Sequence, residues 1–163
     1  MNTKLTIEEI ELLIISLDEF NIRKNIVVPN VSWGFLNHEA DILVLSKSGY
    51  LTEIEIKRSL SDLKADFKKG HDHSDERIKS FFYCVPESLF QQTIDLCVLN
   101  ERSINGVITY TDDNRIKINY HPLYYGKITS GRKLFLEEQL QIARLGSMRV
   151  WKMQDKYVKS IQK

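Results

Sequence analysis

The sequence predicts an α/β protein with a mixed central sheet flanked by helices on both faces. Three observations carry that reading. Ala40–Leu45 and Leu51–Ile56 are strand-like runs joined by Ser46-Lys47-Ser48-Gly49, a hairpin turn that makes the pair antiparallel. Between Leu51 and Val85 the order strand–helix–strand implies a crossover, and with it a parallel pair. Strands and helices alternate with no low-complexity stretch, repeat or Pro/Gly-rich linker, so residues 1–163 read as one domain.

The elements follow in chain order. Thr6 before Ile7, with Glu9 three residues on, is a capping-box signature. Ile7, Ile10, Ile14 and Leu17 then recur at helical spacing, predicting a first helix to about Glu19. Asn25 to Trp33 is rich in Val and Ile, and Pro29 makes it irregular or an edge strand. After the hairpin, Ser59 or Ser61 caps a helix from Leu60 to about Lys69, stopped by Gly70. Residues 71–76 are polar and loop-like, and Ser80–Val85 is a buried strand ended by Pro86. Leu89 to about Leu99 is helical, and Gly106–Tyr110 and Arg115–Tyr120 form strands around the Asp112-Asp113-Asn114 turn. From about residue 133 a basic helical extension runs to the end, with a break expected near Gly146.

Composition excludes several function classes. With 42% hydrophobic and 28% charged residues, the 163-residue chain is neither disordered nor fibrous. Two cysteines, Cys84 and Cys97, are too few for a disulfide scaffold or a four-thiolate zinc site, and read as reduced, buried thiols. No apolar run approaches the roughly 18–20 residues of a membrane span, and no signal-peptide pattern opens the chain. A cytoplasmic protein without membrane contact is expected. The net charge of +1 hides a split. Residues 114–163 carry 11 basic and 3 acidic residues, net +8, whereas residues 1–113 carry 12 and 19, net −7. Such an asymmetry suits an acidic site facing a basic phosphate footprint, or a merely solvated basic helix.

The most informative region is Asn37-His38-Glu39-Ala40-Asp41 followed by Thr52-Glu53-Ile54-Glu55-Ile56-Lys57. Side chains alternate faces along a strand, so Asp41 shares a face with Glu39, and Glu55 with Glu53 and Lys57. His38 falls on the opposite face of an ideal strand and reads as structural. A hairpin then brings Asp41 and Glu55 within reach of one hard divalent cation, with Lys57 beside its water ligands. The competing reading is a charged outer face satisfied by Glu–Lys pairing. Asp62-Leu63-Lys64 and Asp66-Phe67-Lys68 repeat the acidic-x-Lys spacing on a polar helix, where they read as solvated charge pairs.

The stretch from His38 to Lys69 resembles the PD-(D/E)XK nuclease superfamily, the restriction-endonuclease-like fold. It is most similar to small bacterial and phage members with His-Glu-Ala-Asp on one strand and Glu-Ile-Lys-x-Ser on the next. The resemblance implies an α-β-β-β-α-β core, which the element order fits from residue 5 to about residue 110. It also implies Asp41 and Glu55 as Mg²⁺ ligands (Mn²⁺ as a substitute), Lys57 as the motif lysine, and DNA as substrate, with RNA still compatible. Ala40 stands where many members carry proline, which has no chemical role. A first-helix glutamate facing the site is also implied. Glu11 is the candidate, with Glu8 and Glu9 competing. The function expected is metal-dependent phosphodiester hydrolysis. The alternative is a catalytically inactive nucleic-acid-binding or assembly module on the same fold, and a homodimer is compatible with either.

Lys64, Lys68 and Lys69 after the motif are phosphate-contact candidates against an equally good reading as a solvated helix face, and Arg144, Arg149, Lys152 and Lys156 near the C-terminus are the strongest such candidates. His71 and His73, with Asp72 and Asp75, lack a matching Cys/His cluster and read as a loop beside the site rather than zinc ligands. Tyr120, Tyr124 and Tyr125, near Lys127, are base-stacking candidates against a core or surface role. Trp151, beside these C-terminal cations, reads as a core anchor sooner than a base stacker.

Overall fold

The computed structural model describes residues 3–32, 34–68, 75–125 and 131–161. Helix α1 covers Ile7–Ser16 and opens with the expected capping box. Thr6 Oγ1 accepts the Glu9 N–H at 3.2 Å, and Glu9 Oε2 accepts the Thr6 N–H at 2.7 Å. The helix stops short of Glu19, because Leu17 turns extended and Asp18–Phe20 forms a separate 3-10 turn.

Six strands follow: β1 (Ile26–Val31), β2 (Ala40–Leu45), β3 (Leu51–Ile56), β4 (Ile78–Pro86), β5 (Ile104–Tyr110) and β6 (Ile116–Leu123). They lie side by side in sequence order in one sheet. The β1–β2, β2–β3 and β5–β6 pairs are antiparallel, whereas β3–β4 and β4–β5 are parallel. The parallel pairs are joined through α2 (Leu60–Lys68) and α3 (Phe90–Leu99). Ser59 Oγ accepts the Asp62 N–H, so Ser59 rather than Ser61 caps α2. Pro29 lies in β1, where an edge strand tolerates a missing donor. Gly49 adopts φ 85° in the β2–β3 turn, a conformation glycine enters at little cost.

Helices cover both faces of this mixed sheet. On one face Ile42, Ile54, Ile56, Phe82 and Cys84 pack against Ile10 and Ile14 of α1. On the other, Leu43, Leu51, Tyr83 and Val107 meet Leu63 of α2, Ile94 and Cys97 of α3, and Ile142 of helix α4 (Leu136–Ile161). Both cysteines are free and buried, and burial pushes the Cys97 thiol up to about 12.

Two C-terminal expectations are corrected. Helix α4 runs unbroken for 26 residues through Gly146. A Cβ at Gly146 would sit 3.3 Å from Val28 Cγ2, so this glycine lets the helix settle on β1 instead of ending it. Trp151 is no core anchor. It is 72% exposed, on a part of α4 where every residue from Val150 to Ile161 faces solvent. Among the described residues no helix is long and apolar enough to cross a membrane.

Candidate functional site

The main-chain ladder between β2 and β3 runs from Leu45 opposite Leu51 to Ile42 opposite Ile54. One step further, side chains take over. The Ile56 N–H donates to Asp41 Oδ2 at 2.8 Å, and the Asp41 N–H donates to Glu55 Oε1 at 3.2 Å. The two carboxyls therefore sit together where the strands part. Ile54 and Ile56 point into the opposite core, as alternation predicts.

Lys57 follows directly on the same side, its N–H held by Cys84 O of β4 at 2.9 Å. Its Nζ lies 2.7 Å from Glu55 Oε2 and 3.0 Å from Asp66 Oδ1. Asp66 Oδ2 in turn accepts from Tyr83 Oη at 2.7 Å and from an Arg102 guanidinium nitrogen at 2.9 Å. That guanidinium also caps the Phe67 ring, 4.6 Å from its centroid. Glu55, Lys57 and Asp66 are each at most 4% exposed, so these charges meet away from bulk water.

Asp66 corrects the reading of α2 as a purely solvated charged face. It lies three residues after Leu63, which is fully buried, and a helix returns to the same side after three or four residues. Tyr83 and Arg102 were missed as well. In the parallel β3–β4 register Tyr83 stands beside Glu55, a neighbour that local sequence spacing does not reveal.

His38 is structural but not on the opposite face. It precedes β2 and turns inward, its Nε2 2.8 and 2.9 Å from the two Glu53 oxygens. Glu53 is thereby occupied as a support. Glu39 is exposed and joins neither group. Asp75 is likewise not a loop ligand: it forms a two-pronged pair with Arg77, at 2.7 and 2.6 Å.

Glu11 comes from α1 toward the same end of the sheet. Asn30 Nδ2 donates to Glu11 Oε1 at 3.3 Å, and Arg149 of α4 donates to the Asn30 carbonyl. Burial, then the charges of Glu8 and Asp41, push the Glu11 carboxyl up. Burial also raises the Asp41 carboxyl, against the pull of Lys57. Burial alone would lower the Lys57 ammonium, but Glu55 and Asp66 outweigh it and hold the group well above the usual lysine range. Lys57 is therefore a fixed cation and donor.

Among the described residues no group of three or more His, Cys, Asp or Glu side chains is arranged to hold a metal ion. The donor set at hand is the Asp41–Glu55 pair, with Glu11 nearby. Among the described residues the cluster holds the half-buried Asp41 and the buried Glu55 and Asp66 together with two cations, Lys57 and Arg102. One or two carboxylates completed by water suit Mg²⁺ or Mn²⁺, so these residues fit such an ion.

The phosphate-contact candidates divide. Lys64 and Lys68 are exposed on α2, and Lys69, His71 and His73 lie outside the described residues. Arg144, Lys152 and Lys156 are exposed on α4. Arg149, Lys152, Lys156 and Lys159 recur at spacings of 3, 4 and 3, sharing one side of that helix. Tyr120 and Tyr124 are exposed on β6 and just past it, at the far edge of the sheet. Three strand spacings, about 14 Å, separate β6 from β3. Tyr125 is half-buried and Lys127 lies outside the described residues.

No protein-family model and no curated protein matches the chain. Its fold is similar to that of a protein of unknown function from Silicibacter pomeroyi. The two are 14% identical with a TM-score of 0.53, over 82% of this chain and 80% of that one. At that identity the likeness concerns architecture: a mixed α/β fold with flanking helices.

Proposed function

We propose that this chain is a metal-dependent nuclease of the PD-(D/E)XK type, built on a restriction-endonuclease-like core and hydrolysing phosphodiester bonds of DNA. The observation that carries the reading is the meeting of Asp41, Glu55 and Lys57 at the open end of the β2–β3 pair. The order α1-β1-β2-β3-α2-β4 agrees with the core that the sequence resemblance implies.

Asp41 and Glu55 are the residues to hold Mg²⁺, which when bound polarises a phosphate and makes a water more acidic. The protein's own contribution is electrostatic. Lys57 presents an ammonium whose position Glu55 and Asp66 set, ready to stabilise charge developing on the phosphate. Asp66, itself held by Tyr83 and Arg102, keeps that ammonium from swinging away. Glu11 adds negative charge beside Asp41. Arg149, Lys152 and Lys156 of α4, and Lys64 and Lys68 of α2, supply sequence-independent contacts to the backbone.

A second reading, an inactive nucleic-acid-binding or assembly module, is favoured by one observation. Lys57 is already engaged by two carboxylates, Glu55 and Asp66. Calorimetry separates the two. The nuclease reading expects Mn²⁺ or Mg²⁺ binding that disappears in Asp41→Ala, while DNA affinity without metal is kept. DNA binding with no metal binding supports the inactive module, and binding of neither overturns both.

A further inference from the structure

We infer that the projecting end of α4 is a strap for the DNA backbone, holding the strand about five nucleotides to one side of the scissile phosphate. This rests on the nuclease reading above and adds the path that the substrate takes.

Helix α4 climbs along β1 toward the Asp41 end of the sheet. Just before it, the Leu134 N–H donates at 2.8 Å to Gly49 O in the β2–β3 turn, at the end of the sheet away from Asp41. Gly146 then rests against Val28, and Arg149 donates to the Asn30 carbonyl. Pro29 stands opposite Ile42 and Val31 opposite Ala40, so Asn30 is level with Asp41. The stretch from Val150 to Ile161, exposed throughout, therefore runs past the site as an overhang of about 18 Å.

The side of the helix that passes the site is basic. Ile142, Leu145, Arg149, Lys152 and Lys156 follow at spacings of 3, 4, 3 and 4, which keeps them along one side. Ile142 is buried and Leu145 packs on the core that α4 shares with α2, so this side faces the middle of the sheet. The site lies on the same face, because Glu55 stands beside Tyr83 of that core and Lys57 reaches Asp66 of α2. Where the sheet ends, the apolar packing side of α4 thus turns into Lys152 and Lys156. Among the described residues neither has an acidic partner: Asp155 is the one acid from Val150 to Ile161, and Lys159 holds it at 2.6 Å. Two uncompensated cations set toward an acidic metal site suit a polyanion that runs from one to the other.

The span sets the footprint. Lys156 is about 10 Å along the helix from Arg149, and the helix axis lies about 10 Å above the sheet. Lys156 is then about 15 Å from the Asp41 end of the strands. At about 3.4 Å per nucleotide of a duplex strand, the strap reaches about five nucleotides from the bond to be cut. A strand that ends sooner on that side loses these contacts, so cleavage is set back from one end.

Two measurements on the full chain test this. Fluorescence anisotropy with a labelled DNA duplex and no metal reads the strap without relying on cleavage. Lys152→Glu/Lys156→Glu is expected to bind at least about tenfold more weakly, because two phosphate contacts become repulsions. Both positions are solvated, so its circular dichroism spectrum should match the wild type. Arg23→Glu/Lys47→Glu makes the same charge change at exposed positions beside the β2–β3 turn, far from the site. It is expected to stay within about twofold of wild type, since charges beyond the screening length count little. Cutting of end-labelled duplexes with Mn²⁺ then reads the set-back, with wild type expected to spare about five nucleotides at one end. Wild-type affinity in Lys152→Glu/Lys156→Glu, an equal loss in both double variants, or cuts by wild type up to both ends overturns the strap. An affinity that depends on Lys152 and Lys156 in a protein that cuts nothing supports the strap and overturns the nuclease reading instead. A wild type that binds no DNA overturns both.

Discussion

Lys57 Nζ lies 3.0 Å from Asp66 Oδ1, and this contact ties the end of β3 to α2. Asp66 is only 2% exposed and also serves Tyr83 and Arg102. Its removal leaves two cations and a hydroxyl without their shared acceptor. Asp66→Ala is expected to cost about 3–5 kcal/mol of stability in urea unfolding, the range for breaking a buried ion pair from one side. Asp66→Asn keeps the shape and one acceptor oxygen and should cost clearly less. Equal unfolding midpoints for wild type and Asp66→Ala contradict this packing.

Arg77 and Asp75 carry a pH prediction. Burial alone would raise the Asp75 carboxyl, but the Arg77 side-chain and main-chain N–H groups outweigh it and hold the carboxyl below its ordinary value. The folded value is thus lower than the unfolded value of about 3.9. The stabilisation is complete above the unfolded value and is lost as pH falls through the folded one. Acid unfolding of the wild type should steepen below about pH 4, and Asp75→Asn should flatten that part of the profile. Parallel profiles for the two proteins would refute the assignment.

The basic side of α4 predicts a salt effect. Changing Lys152 and Lys156 to Gln removes two cations from a fully solvated stretch of helix, so thermal unfolding should not move. DNA affinity should fall for every sequence alike. The slope of log K against log salt should shrink by about 0.9 for each phosphate that is no longer neutralised. A slope unchanged in filter binding or anisotropy titrations places the nucleic acid elsewhere.

The hairpin and its faces were legible because they are local. Ser46 to Gly49 set a tight turn, and period-2 alternation then assigned Glu55 and Lys57 to one side and Ile54 and Ile56 to the other. The crossover to β4 was legible as topology but not as register. For that reason Tyr83 stayed hidden beside Glu55, and Arg102, which joins Asp66 across 36 positions of chain, had no local signal. Asp66 had one: its spacing from the apolar Leu63 placed it on the inner side of α2. Gly146 and Trp151 misled for a common reason. Propensity takes no account of a strand that needs a glycine to pack against, nor of a helix that outruns its own domain.

The central claim is that Asp41, Glu55 and Lys57 form a hydrolytic site, and cleavage measures it most directly. Supercoiled plasmid and labelled oligonucleotides are incubated with Mg²⁺ or Mn²⁺ and with wild type, Asp41→Ala or Lys57→Ala. All three proteins are first shown to be folded by circular dichroism. Wild type should nick DNA with either metal and stop on chelation. Asp41→Ala should be inactive, and Lys57→Ala slower by roughly 10²–10³, the loss typical of removing one electrostatic stabiliser. Equal nicking by wild type and Lys57→Ala, or none by folded wild type that binds DNA and metal, contradicts the account.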